Sequence, residues 1–224
     1  MNDRSEPEEA PPEESRRVLT LQPGAVWVAG KLDRAAQGAL LEAVRDVVRA
    51  APLFQPVMPK TGKPFSVRMT NCGPLGWVSD RAGYRYQTLH PETGMPWPAM
   101  PASLLALWAE LVGDPPPEAC LINHYPPTAR MGLHQDRDED DLETPVLSVS
   151  LGDTAVFRIG GTTRKDPTRS IRLASGDVVL FGGPARLAFH GVDRILAGTS
   201  TLLERPGRIN LTLRRVSKGP STAP

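Results

Sequence analysis

From Cys120 onward the chain consists of short β-prone segments separated by turn residues, and this spacing restricts the folds open to it. The separators include Gly160-Gly161 and Gly182-Gly183-Pro184. Many short strands at such intervals are typical of a sandwich, jelly roll or barrel. We expect strands at residues 120–125, 145–151, 155–159, 170–173, 177–181, 187–190 and 208–216.

Two helical patterns precede these segments, so the predicted fold class is mainly β with flanking helices (α+β). The first covers residues 33–51, where Leu40, Val44 and Val47 recur on one face. Asp33 is a suitable N-cap, and Pro52 ends the pattern. The second covers residues 102–112, and we expect it to bury Leu104, Leu105, Trp108, Leu111 and Val112. Residues 56–87 contain many turn residues and predict mainly loop.

The length of 224 residues is enough for one domain with a sizeable core. We expect that domain at residues 18–216, with its β core at about 119–216. Residues 1–17 are rich in acids and prolines and are expected to form a disordered arm, followed at the other end by a tail at 217–224. No apolar run is long enough to span a membrane.

Charge and cysteine content exclude several classes of protein. The formal net charge is only +1, so any site for a polyanion must be a local patch. The two cysteines, Cys72 and Cys120, form neither a disulfide framework nor a zinc motif. We expect both to be small buried hydrophobic residues in a cytoplasmic protein.

His134, Asp136 and His190 are the residues that most clearly suggest chemistry. Two imidazoles and one carboxylate form the face that holds non-heme Fe(II) and leaves positions open for oxygen and an organic cosubstrate. His134 and Asp136 project to the same side of an extended chain. We expect His190 to end another strand and to lie at the rim of the same sheet.

The last predicted strand carries a polar row. Arg208, Asn210, Thr212 and Arg214 alternate with Ile209, Leu211 and Leu213. An inward polar row is costly unless it binds something. The two arginines lie about 20 Å apart at roughly 3.3 Å per residue, so they suit opposite ends of a dicarboxylate rather than one carboxylate. An outward basic stripe is the alternative.

Longer stretches of sequence sharpen these assignments. They read MTNCGPLGW at residues 69–77, PWPAMP at 96–101, CLINHY at 120–125, LHQDRDE at 133–139, SVSLG at 148–152 and RINLTLR at 208–214. With them the chain resembles the AlkB family of iron- and 2-oxoglutarate-dependent dioxygenases over residues 22–214. The resemblance implies a double-stranded β-helix, a relative of the jelly roll, and a nucleotide-recognition lid at about residues 52–100.

The resemblance also implies a set of site residues. Fe(II) would be bound by His134, Asp136 and His190. The cosubstrate 2-oxoglutarate would be bound by Asn123, Tyr125, Arg208, Asn210 and Arg214, with Arg208 at its distal carboxylate. The nucleotide would be bound by Trp77, Tyr84, Arg85, Tyr86, Asp138 and Arg164. In this set Trp77 stacks on the base opposite His134, Asp138 contacts the base edge, and Arg164 lies at the mouth of the site.

The activity that the resemblance implies is oxidative dealkylation of nucleobases such as 1-methyladenine and 3-methylcytosine. O2 and 2-oxoglutarate would be consumed, with release of succinate, CO2 and formaldehyde. The expected partner is alkylated single-stranded DNA, with double-stranded DNA or RNA as alternatives, and a monomer is expected. Phe181, where tryptophan is expected, Ile209, where an aromatic residue is common, and a longer stretch at residues 197–206 depart from the family pattern.

Two other classes of protein remain open at this stage. One is an iron hydroxylase acting on a protein or a small metabolite, which would keep the three metal ligands. The other is a β-sandwich binding module with a structural metal, although such sites usually have four protein ligands. Several other residues are interpreted as having no role in a site. Glu139–Asp141 is expected to be a solvated acidic loop, His90 and His124 to be loop or rim residues, and Trp97 and Trp108 to belong to the core.

Overall fold

The computed structural model describes residues 17–218, and the predictions for residues 1–16 and 219–224 lie outside this range. The strands are β1 (Arg17–Gln22), β2 (Ala25–Ala29), β3 (Arg68–Cys72), β4 (Gly76–Asp80), β5 (Gly83–Gln87), β6 (Ala119–Tyr125), β7 (Met131–His134), β8 (Val146–Gly152), β9 (Thr154–Ile159), β10 (Arg169–Leu173), β11 (Val178–Phe181), β12 (His190–Leu196) and β13 (Arg208–Arg214). The helices are α1 (Arg34–Ala50), α2 (Ala102–Leu111) and a short 3-10 helix (Gly183–Ala185).

Two sheets form the double-stranded β-helix. The large sheet has seven strands in the order β1-β2-β11-β8-β13-β6-β3, and the small sheet has four in the order β10-β9-β12-β7. A separate hairpin consists of β4 and β5. The mainly β fold with flanking helices is therefore confirmed, and it belongs to the jelly-roll type.

Alternating side chains divide the core into two layers. One apolar cluster takes residues from both sheets, including Leu121, Phe157 and Phe181. The other lies between the large sheet and the helices, where Leu147 and Leu213 pack with Trp108. Because successive side chains of a strand point to opposite faces, each central strand contributes to both layers.

Helix α1 forms where its pattern predicts. Asp33 caps its N-terminus by accepting a hydrogen bond from the backbone N–H of Ala36 at 2.7 Å. Its apolar face, including Leu40 and Val44, is buried against the large sheet. None of the helices within residues 17–218 is long and apolar enough to cross a membrane.

Two local predictions were wrong, and one region of strand was not predicted. Residues 56–87 contain strands β3, β4 and β5 rather than mainly loop, and residues 17–29 form the unpredicted strands β1 and β2. In α2 the buried positions are Leu104, Leu107 and Trp108, whereas Leu105 is 40 % exposed. Residues at i, i+3 and i+4 share one helical face, and Leu105 points away from it.

A candidate metal centre in a polar cavity

The three predicted metal ligands meet at the edge between β7 and β12. His134 is the last residue of β7, His190 is the first of β12, and the antiparallel register pairs them directly. Asp136 follows β7, with its carboxylate 3.8 Å from His134 Nε2 and 3.9 Å from His190 Nε2. Since protein ligands bind such metals at about 2 Å, donors at these separations can hold one ion between them.

Both imidazoles present the same nitrogen to this point. Nδ1 of His134 lies 2.9 Å from the carbonyl of Gly132, and Nδ1 of His190 lies 2.9 Å from the carbonyl of Ala188. A carbonyl oxygen only accepts, so in each ring Nδ1 carries the proton and donates it. The lone pair of each Nε2 is therefore free for a metal, as in metal sites whose ligands are oriented by backbone carbonyls.

The small sheet brings these ligands together through a close backbone approach at Gly191. A Cβ atom at this position would lie 2.6 Å from the carbonyl oxygen of Met131 on β7. Only glycine therefore allows β7 and β12 to pair here. The prediction that His190 ends a strand at residues 187–190 was wrong, because His190 begins β12.

Buried charges keep Asp136 ionised. Burial opposes the charge of this carboxylate, but Arg214 and the two histidines outweigh burial and hold its pKa well below the usual value. Arg214 donates to Asp136 Oδ2 from Nη2 at 2.8 Å. Burial lowers the pKa of His190 to about 4. The protein thus presents an anionic oxygen and a neutral imidazole, the protonation states in which both groups bind metals.

The predicted cosubstrate residues occupy two neighbouring strands. In the pairing of β13 with β6, Arg208 lies opposite Tyr125 and Asn210 lies opposite Asn123. Directly paired residues project to the same face of an antiparallel sheet. The predicted alternation along β13 is confirmed, since Ile209, Leu211 and Leu213 belong to the other core layer while the polar row lines a cavity.

This cavity has a volume of about 650 Å³ and contains the three candidate metal ligands. Arg208 is only 1 % exposed, and no carboxylate within residues 17–218 lies within 4 Å of its guanidinium. Burial lowers its pKa to about 10. Arg208 Nε and Arg214 Nη1 are buried without a hydrogen-bond partner among the described residues. Such unsatisfied donors are costly, and a bound dicarboxylate would satisfy both.

Aromatic and charged residues line the opening of the same cavity. Trp77 stacks on Tyr84 with ring centroids 5.6 Å apart, and its indole N–H donates to Asp138 at 2.9 Å. Arg164 donates to the carbonyl of Leu133 at 3.0 Å, next to His134. Twelve of the fourteen predicted site residues line the cavity: His134, Asp136, His190, Asn123, Tyr125, Arg208, Asn210, Arg214, Trp77, Tyr84, Asp138 and Arg164.

Arg85 and Tyr86 are the two predicted site residues that do not line the cavity. Arg85 is on the opposite face of β5 from Tyr84 and forms an ion pair with Asp80 at 2.8 Å. Tyr86 points inward, and its hydroxyl donates to Glu139. Both belong to the β4–β5 hairpin that carries Trp77.

The interpretation of Glu139–Asp141 as a solvated loop was wrong. Glu139 is 6 % exposed and Asp141 is 8 % exposed, although Asp140 between them is exposed. Arg186, which sequence reasoning missed, reaches Glu139 at 3.1 Å and donates to the carbonyl of Asp136 at 2.6 Å. Nothing local marks Arg186 as a site residue, since it lies 47 positions from Glu139.

The predicted places of the remaining side chains are confirmed for the tryptophans and cysteines but not fully for the two histidines. Trp97 and Trp108 are in the core, and Cys72 and Cys120 are fully buried free cysteines. His90, expected at a loop or rim, does lie in a loop but is buried there, only 2 % exposed. Its ring packs between Phe54 and Trp97. His124 lies on β6.

Comparison with known proteins places these features in a family. A sequence model of the 2OG-Fe(II) oxygenase superfamily matches residues 24–214. The "Alpha-ketoglutarate-dependent dioxygenase AlkB homolog" of Caulobacter vibrioides (strain NA1000 / CB15N) is 64 % identical over 202 residues, which cover 89 % of this chain and 90 % of that protein.

Two further comparisons extend this similarity. The "DNA N(6)-methyladenine demethylase ALKBH1C" of Arabidopsis thaliana is 45 % identical over 109 residues, covering 44 % of this chain and 24 % of that protein. The solved structure of OsALKBH1 superposes with a TM-score of 0.78 at 30 % identity, covering 89 % of this chain and 100 % of that one.

Proposed function

Because the chain belongs to the 2OG-Fe(II) oxygenase superfamily and, within it, to the AlkB family, we propose that it oxidatively dealkylates nucleobases. It is a dioxygenase that uses Fe(II), 2-oxoglutarate and O2. The observation that carries the proposed substrate is that Trp77 and Asp138 border the same cavity as His134. A flat, polar-edged ligand such as a base fits this combination.

The residues fit the two groups that the family uses. His134, Asp136 and His190 would hold Fe(II), since one ligand atom of each residue lies within 4.8 Å of the other two. Arg208 and Arg214 would hold 2-oxoglutarate, because each has a buried N–H without an acceptor. When bound, these groups and O2 supply the oxidising chemistry: 2-oxoglutarate becomes succinate and CO2, and the alkyl carbon gains an oxygen atom and leaves as formaldehyde.

The protein's own residues orient the base and exclude water. An alkylated base pairs poorly and costs less to flip out of a stack than an intact one. Trp77 would stack on the flipped base opposite His134, while Asp138 accepts from an exocyclic amine at its edge. Arg164 at the opening would meet a phosphate. The imidazole of His134 would then lie against both the base and the metal.

The test is incubation of the enzyme with Fe(II), 2-oxoglutarate and oligonucleotides carrying 1-methyladenine or 3-methylcytosine, in single-stranded DNA, duplex DNA and RNA. Mass spectrometry should show loss of the methyl group, with formaldehyde and succinate in equal amounts. An unmodified oligonucleotide is the matched substrate control, and Asp136→Ala should abolish turnover. Succinate without formaldehyde on every methylated oligonucleotide would contradict the proposal and favour a protein or metabolite substrate.

Single-stranded DNA is the proposed preferred substrate, and a monomer is the proposed state. A base in a single strand needs no unpairing before it enters the cavity. The three nucleic-acid arms of the experiment rank these substrates. Light scattering of the purified protein gives the oligomeric state, and a mass near twice the 24.3 kDa of one chain would contradict the monomer.

A further inference from the structure

One buried carboxylate, that of Glu139, connects three separate parts of the molecule. It accepts a hydrogen bond from the hydroxyl of Tyr86 on β5. It lies 3.1 Å from Arg186, which follows the short 3-10 helix, and 3.3 Å from Nε of Arg214 on β13. The side chains of Glu139 and Arg186 are 2 % and 3 % exposed, so water does not screen these contacts.

The two arginines continue this network to the metal site. Arg214 donates to the carboxylate of Asp136 at 2.8 Å, and Arg186 donates to the carbonyl of the same residue at 2.6 Å. Removing one partner from a buried ion pair leaves an uncompensated charge in the protein interior, which is strongly destabilising. A displacement of Glu139 therefore disturbs both arginines, and a fixed Arg214 restrains Glu139.

We propose that Glu139 is a positioning residue that couples the β4–β5 hairpin to the cosubstrate site through Tyr86 and Arg214. The inference deepens the proposed function and rests on it, since it assigns Trp77 on β4 to the base and Arg214 to 2-oxoglutarate. A carboxylate bound at Arg214 Nη1 holds the guanidinium in one orientation. That in turn fixes Glu139 and the acceptor for Tyr86.

The coupling between the two sites should be favourable, and its size can be measured. Two-site coupling energies are typically 1–3 kcal/mol, or about 5- to 150-fold. Occupation of the cosubstrate site should therefore stabilise the hairpin that receives the base, and substrate should bind more tightly after 2-oxoglutarate. Rigidification of this kind needs no large change of structure.

The experiment compares backbone hydrogen exchange at residues 76–87 without ligand and with saturating Mn(II) and 2-oxoglutarate. Tyr86→Phe removes the hydroxyl but keeps the ring and leaves both ion pairs of Glu139 in place. Ser79→Ala is the matched control. Ser79 lies in the same hairpin, and its buried hydroxyl donates to the carbonyl of Val57. Its removal does not alter any contact of Glu139. Glu139→Gln, which keeps the shape and removes the charge, is the second variant.

We expect the ligands to slow exchange at least about fivefold in the unaltered protein and in Ser79→Ala, and less than twofold in Tyr86→Phe and Glu139→Gln. Equal slowing in Tyr86→Phe, or no slowing in the unaltered protein, would overturn the proposal. A merely structural role of Tyr86 would raise exchange equally with and without ligands. Since no nucleic acid is present, failure of the dealkylation assay remains a separate result.

Discussion

At the scale of single residues, the site is organised by which buried charges have partners. Arg214 is held by Asp136 and Glu139, whereas Arg208 is buried without a carboxylate in reach among the described residues. Burial opposes the charge of Arg214, but its acidic neighbours outweigh burial and raise its pKa. For Arg208 burial prevails and lowers the pKa to about 10. Arg208 is therefore the residue that gains most from an anionic ligand.

Arg208→Lys should raise the Michaelis constant for 2-oxoglutarate about tenfold or more, with a smaller effect on kcat. Lysine keeps the charge but loses the planar fork that binds a carboxylate through two parallel hydrogen bonds. A shift of that size corresponds to loss of about 1.4 kcal/mol. Steady-state kinetics across a range of 2-oxoglutarate concentrations measure it. Arg172→Lys, on the exposed strand β10, is the control, and equal constants in both variants would contradict the assignment.

Trp77→Ala should weaken binding of a methylated oligonucleotide by about ten- to a hundredfold, since base–aromatic stacking is worth about 1–3 kcal/mol per base. Formaldehyde production should fall while 2-oxoglutarate turnover without substrate persists, because no candidate metal ligand is altered. Fluorescence anisotropy gives the affinity, and formaldehyde and succinate are measured in parallel. Leu105→Ala, an exposed change on α2, is the control. Equal loss of both products would show that Trp77 only packs the hairpin.

At the scale of elements, the loop after β7 supports the site through its own buried acids. Asp141 is bound by Thr144 through both backbone and hydroxyl, and by the backbone of Glu143. Burial opposes its charge, but these hydrogen bonds outweigh burial and lower its pKa. The turn at residues 141–144 therefore depends on the ionised carboxylate of Asp141, and this turn holds the loop that carries Glu139.

This arrangement predicts a pH dependence of stability. A carboxylate whose folded pKa is lowered stabilises the fold above its unfolded pKa of about 3.9, and that contribution is lost as pH falls through the folded pKa. Asp141→Asn should therefore destabilise the protein at pH 6, and the difference should shrink towards pH 3. Urea unfolding of both proteins at the two pH values measures it. The same difference at both would rule out the ionised carboxylate as the cause.

At the scale of the whole molecule, a net charge of +1 makes nucleic-acid binding a property of one surface. The cavity that contains the candidate metal ligands is also lined by Trp77, Arg137 and Arg164, and both of these arginines are exposed. Counterion release by local arginines then determines how binding responds to salt, whatever the overall charge.

Binding of methylated single-stranded DNA should weaken as salt rises, and Arg164→Ala should reduce the slope of log K against log salt by about 0.7. That value is expected for loss of one phosphate contact on a single strand. Affinities between 50 and 200 mM salt measure the slope. Arg49→Ala, on the far side of the large sheet, should leave it unchanged. An unaltered slope in Arg164→Ala would place this arginine outside the phosphate path.

The sequence by itself determined the features that follow from local pattern and ligand chemistry. The three candidate metal ligands, the alternation along β13 and the capped helix α1 could be predicted because residue type and spacing define them. The family could be predicted because several sequence motifs typical of it occur in the same order in this chain. These features depend on side chains within a few positions, or on residue types with few other uses.

Tertiary structure alone decided the burial of Glu139, its link to Arg186 and the inward turn of Tyr86. These contacts join segments 47 and 53 positions apart, and nothing in either segment distinguishes a buried acid from a solvated one. Strands β4 and β5 were not predicted because each has only five residues among turn residues, and within residues 17–218 they pair with each other outside the two larger sheets. These two strands are stabilised by packing, which their local sequence does not predict.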